Sequence, residues 1–223
     1  LEIDIPENGK LSLFPAKERN RIVEIAKNEL GRYLELEQIL GIETRFDNPL
    51  SGILIQSFEH IDKAALKLRE AWGLGTGPLS NVIELLEDHH VKVLEIESTE
   101  EFDGFCTWVN GKNIPLIVLN KAKLNDAPDR KRFTALNELA HLILEVNHLP
   151  ENQKEKFCHA FATTMLISEE RLRIELGGMR SKLSFHELAA IKQQYGISMQ
   201  ALVYRAKNLG LISDNYFKQF YAL

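Results

Sequence analysis

Arg132-Phe133-Thr134-Ala135-Leu136-Asn137-Glu138-Leu139-Ala140-His141-Leu142-Ile143-Leu144 is the stretch around which the rest of the chain is arranged. Phe133, Leu136, Ala140, Leu142 and Leu144 supply the apolar faces of a helix. Residues four apart share a helix face, so positions 137 and 141 look the same way. Two histidines at that spacing bring both imidazoles to one zinc ion, and a glutamate beside the first can take a proton from the metal-bound water. The spacing is present here, but the first position is Asn137. The stretch therefore reads N-E-x-x-H where a zinc protease helix reads H-E-x-x-H. By itself Glu-Leu-Ala-His is a weak signal, because many helices beside a core carry a Glu and a His three apart.

The flanks add to it. Upstream, residues 114–119 form a nearly continuous apolar run, as in a strand covered on both faces. Asn110-Gly111 before it marks a hairpin with the strand at 105–109, and a first strand is read at 91–96. Downstream, Glu155-Lys156-Phe157-Cys158-His159-Ala160-Phe161-Ala162-Thr163-Thr164-Met165-Leu166 reads as a second helix. This succession of apolar strand ending in Asn120, R-F-T helix and second helix resembles the ImmA/IrrE family of zinc-peptidase-like proteins. Ala71-Trp72-Gly73-Leu74-Gly75-Thr76-Gly77-Pro78, Phe102-Asp103-Gly104, Tyr195-Gly196-Ile197-Ser198, Tyr204-Arg205 and Leu209-Gly210-Leu211 extend the resemblance over about residues 57–220.

The resemblance implies a zincin-like active-site helix with Glu138 as general base and His141 as a zinc ligand. It implies Glu155, on the next helix, as a further ligand. Asn137 departs from the family where its first zinc histidine stands, and Cys158-His159 departs from an Ala-Asn pair. A carboxamide oxygen is a poor zinc ligand beside an imidazole, so His141 and Glu155 alone under-hold the ion. Two readings stay open. In one, His159, four residues after Glu155, joins His141 and Glu155 with Asn137 assisting, and zinc binds. In the other, Cys158 and His159 sit in the core and the metal site is degenerate. The family occurs in bacteria and their mobile elements, often fused to a helix-turn-helix DNA-binding domain. It therefore implies a protein partner such as a repressor or antitoxin-like regulator. DNA contact would come through an upstream domain, and a catalytically inactive sensor half of a regulator is the alternative function.

Working outward, helices are expected at about 16–40, 58–72, 79–89, 128–146, 151–167, 168–174, 184–195, 199–209 and 213–221, after a loose lead-in over 1–14. The fold class is α+β: a small, mostly antiparallel three-stranded sheet packed against a helical body. Residues 1–56 are read as an N-terminal helical connector, with Ile22, Ile25, Ala26, Leu30, Tyr33, Leu34 and Ile39 as its apolar stripe. Residues 57–223 are read as the peptidase-like domain. The connector either packs on the core or pairs with a second copy in a homo-oligomer.

The 223 residues are 44% hydrophobic and carry a net charge of −5, which excludes global disorder and a chain that is basic throughout. Residues 171–223 hold eight Lys/Arg against three acids and form a basic tail, read as a solvated helical surface. Two cysteines suit a reducing cytoplasm, and no apolar run reaches the length of a membrane span. The chain opens on Leu1, which leaves room for a preceding domain. The glycines at 73, 75 and 77 lack a following G-K-[ST] and read as a flexible turn rather than a phosphate loop. His89-His90 closes a helix, where a cation suits the macrodipole. Residues 188–211 have the outline of a helix-turn-helix, read as a structural pair because few polar residues open its second helix.

Overall fold

The computed structural model describes residues 14–42, 45–98, 101–111 and 113–222. The lead-in expected over 1–14 lies almost wholly outside them. The chain divides into two compact units, one from the described parts of Leu1–Asn48 and Asn81–Ile143, the other from Pro49–Ser80 and Leu144–Leu223.

The first unit holds α1 (Ala16–Leu40), α3 (Val82–Asp88), β1 (Lys92–Ile96), β2 (Gly104–Val109), β3 (Ile114–Asn120), α4 (Lys121–Leu124) and α5 (Pro128–Ile143). Its sheet has the order β1-β3-β2. Every residue of β3 is buried, as the apolar run predicts. The β2–β3 pair is antiparallel, with Phe105 opposite Val118. Asn110 and Gly111 take positive φ (52° and 66°) in the turn between them. The sheet is mixed rather than mostly antiparallel, because β1 pairs with β3 in parallel, Leu94 opposite Val118. The connection after β1 skips one strand position, and β3 folds back into the gap. No local sequence pattern encodes that choice.

Side chains alternate across a sheet. Leu94, Ile96, Phe105, Val109, Ile114, Leu116 and Val118 share one core with Ile22, Val23, Ala26 and Leu30 of α1. The connector therefore packs on the sheet. Burial of each of Ile22, Val23 and Leu30 is worth about 1.5–3 kcal/mol relative to exposure. The expected stripe ends early, however: Ile39 is 72% exposed, in a patch with Leu36, Leu40 and Ile42. Lys92 is fully buried on the same face of the sheet. Its ammonium meets Glu37 Oε1 of α1 at 2.5 Å and lies 5.0 Å from the centre of the Tyr33 ring. Burial and the nearby Glu87 and Glu37 push the Tyr33 phenol up to about 12. At the end of α3, burial lowers the His89 pKa, and Asp88 partly opposes this.

The second unit is helical: α2 (Phe58–Ala71), α6 (Glu151–Leu166), α7 (Glu169–Leu176), α8 (Phe185–Tyr195), α9 (Met199–Asn208) and α10 (Asp214–Tyr221). Ile61, Ala64, Ala65 and Leu68 bury one face of α2, which packs on α6. The glycine turn after it is held by Arg69. The buried Arg69 donates from Nε to Gly75 O at 2.8 Å, from Nη2 to Gly77 O at 2.5 Å and from Nη1 to Met165 O at 2.6 Å. Serine N-caps open α7, α8, α9 and α10. Part of the basic tail is spent internally. Arg205 is only 6% exposed, and its Nη2 meets Asp62 Oδ1 at 2.8 Å.

Candidate functional site

The motif helix α5 is positioned by its first turns. Pro128 suits a first turn, where a missing N–H costs nothing. Arg130 then grips Asp103 with two donors, Nε to Oδ2 and Nη2 to Oδ1, both at 2.7 Å. Lys131 pairs with Glu95 of β1. One turn on, Thr134 faces Gly104. A Cβ on that glycine would stand 2.9 Å from Thr134 Cγ2 and 3.1 Å from Val118 O. Only glycine lets the helix sit this close to β2. Asn120 completes the support. Its Oδ1 accepts from the Ser98 and Ala122 amides, its Nδ2 donates to Phe102 O, and its own amide donates to Asp103 O at 2.8 Å. The motif residues Phe102-Asp103-Gly104 and Asn120 are thus the cradle of α5. Their role could be suspected from the buried-strand pattern, but their contacts are long-range.

From Thr134 to Ala140 every residue of α5 is buried. Asn137 (3% exposed) and Glu138 (2%) are buried, with His141 half-buried in the last turn. Asn137 Oδ1 is buried with no hydrogen-bond partner among the described residues, a situation that costs about 1–3 kcal/mol. The Nε2 of His141 is buried as well. Arg132, at the head of the stretch, is lowered by burial from the usual guanidinium range, with Asp129 working the other way.

Glu155 and His159 belong to the second unit. Helix α6 is regular, so they share a face as the spacing predicts, with His159 Nε2 3.7 Å from Glu155 Oε2. Their side chains are 34% and 55% exposed. Cys158 is buried and outside any disulfide, and His159 is exposed.

A catalytic zinc takes three strong protein ligands and a water. Helix α5 offers one imidazole, one carboxylate and a carboxamide whose oxygen is weak toward zinc. Among the described residues of either unit, no group of three or more His, Cys, Asp or Glu side chains is arranged to hold a metal ion. The donor set of α5 therefore does not fit zinc by itself.

Among the described residues, no helix is long and apolar enough to cross a membrane. The model of a peptidase M78 family, described as the IrrE N-terminal-like domain, matches residues 86–207, more than half of the chain. No curated protein matches significantly. Among solved structures, the chain is similar to a Mycobacterium tuberculosis transcriptional regulator, with a TM-score of 0.45 and 13% identity over 66% of this chain and 46% of that one. The chain thus spans less than half the length of that regulator.

Proposed function

The chain belongs to the IrrE N-terminal-like domain family, and on that premise we propose that it is a regulatory member with a degenerate metal site. It acts on or with a transcriptional repressor or mobile-element partner by binding. The observation that carries this reading is Asn137. At the position where the family resemblance calls for an imidazole, α5 carries a carboxamide, 3% exposed, whose oxygen is unmatched among the described residues. Glu138 and His141 keep the family's residue types, but a base needs a water held and acidified beside it. Without a strong third ligand that water is not prepared.

In this reading DNA contact, where a full regulator makes it, falls to another domain. Helix α9 buries Leu202, Val203, Arg205 and Ala206, and its Arg205 is committed to Asp62. A recognition helix instead presents its residues to a groove.

The test is to mix purified native and Glu138→Gln protein with a candidate repressor partner, following complex formation and repressor length together. Equal binding by both proteins with the repressor left intact is the expected result. Cleavage by the native protein that is lost in Glu138→Gln would instead establish a working peptidase.

A further inference from the structure

The second unit contains a pocket of about 360 Å³ framed by α2, α6 and α9. Its lining includes Phe58, Asp62, Lys156, Tyr204, Arg205 and Leu209. The volume lies at the small end of ligand pockets, which run from about 300 to 1,000 Å³. From this pocket we propose that the protein binds a small monocarboxylate with a flat apolar body, of the aryl carboxylate class. The proposal does not rest on the regulatory reading above.

Charge is the first argument. Arg205 and Lys156 set two cations against the single carboxylate of Asp62. Asp62 Oδ1 is already shared, accepting from Thr164 Oγ1 and from Arg205 Nη2, both at 2.8 Å. Arg205 carries five N–H donors; its Nε is sealed inside the unit and its Nη2 meets Asp62, which leaves Nη1 as the donor for a ligand. Lys156 has no carboxylate within ion-pair distance among the described residues. The pocket is therefore short of one negative charge and of hydrogen-bond acceptors, and a ligand carboxylate supplies both. Because Arg205 is nine-tenths buried, this donor excess is part of the fold rather than a solvated surface charge.

Apolar surface is the second argument. Phe58 and Tyr204 remain 50% and 49% exposed although both line the pocket. Each is held from behind by another ring: Phe58 lies edge-on to Phe157 with centroids 4.9 Å apart, and Tyr204 lies 6.1 Å from Phe217. Two braced rings with free surface, and Leu209 beside them, offer a flat apolar body an anchored wall. An inorganic anion would leave that wall uncovered, and a neutral aromatic would leave the cations unmatched.

Calorimetric titration of the full chain with benzoate, benzamide and inorganic phosphate tests the proposal. Saturable one-site binding of benzoate, with benzamide and phosphate each at least about tenfold weaker, is expected. Lys156→Glu, a change at an exposed position, should weaken benzoate by more than about tenfold and leave the melting temperature unchanged. Tyr204→Ser should weaken it without affecting phosphate. Benzamide binding as tightly as benzoate, phosphate binding as tightly as benzoate, indifference to Lys156→Glu, or no saturable benzoate binding would each overturn it.

Discussion

Each unit buries a cation against a carboxylate, but the two pairs have different surroundings. In the sheet unit Lys92 is fully buried, held by Glu37 and roofed by the Tyr33 ring. In the helical unit Arg205 joins Asp62 at the wall of a pocket. The polar residues of the two motif helices differ in the same sense. Asn137 and Glu138 on α5 are buried, whereas on α6 Glu155 is half-buried and His159 exposed. In the sheet unit the buried Lys92–Glu37 pair ties α1 to β1. The helical unit leaves part of its own pair open to a ligand.

The largest effect should come from breaking the sealed pair. Lys92→Ala leaves Glu37 buried without its cation and should cost about 3–5 kcal/mol in denaturant unfolding. A loss below about 1 kcal/mol would mean that the pair is not sealed. Next, Gly104→Ala forces a methyl against Thr134 and the Val118 carbonyl and should cost about 1–3 kcal/mol by displacing α5. Asn137→Leu removes an unmatched buried oxygen and should leave stability within about 1 kcal/mol of native. A large loss there would show that Asn137 has work to do in the fold. The smallest effect belongs to α6: Glu155→Gln or His159→Gln should change stability by no more than about 0.5 kcal/mol, as expected for an exposed i,i+4 pair.

Acid offers another probe of the sheet unit. Burial lowers the His89 pKa, so the unfolded chain takes up its proton first as pH falls. The stability contributed by neutral His89 is present above the ordinary histidine range, near about 6.5, and is lost progressively below it. His89→Gln should flatten the stability profile below about pH 6.5. An unchanged slope would mean that another group governs that window.

Much of this was legible in the sequence, for identifiable reasons. Helices announced by caps and periodicity stand close to where they were read: α1 at Ala16–Leu40 and α6 at Glu151–Leu166 match to within a residue. Asn110-Gly111 marked its turn because few other residue pairs accept two positive φ angles. The parallel β1–β3 pairing was not legible, since strand order depends on what the 97–103 connection skips. Nor were the partners of Lys92 and Arg205, which lie 55 and 143 residues away along the chain. A Lys or Arg looks solvated in the sequence until the fold supplies a carboxylate. Of the candidate site, the sequence located α5 and the shared face of Glu155 and His159. It did not reveal that Asn137 and Glu138 would be buried, because a helix wrapped by core along seven consecutive residues carries no amphipathic period.

In the proposed function, Asn137 leaves the family's metal site degenerate. Zinc content of native and Asn137→His protein, purified side by side without chelator and dialysed against the same zinc buffer, tests it most directly. Trace zinc is expected in the native protein and a clear gain in the variant, where α5 carries an i,i+4 pair of imidazoles. Stoichiometric zinc in the native protein, lost on His141→Ala, would contradict it.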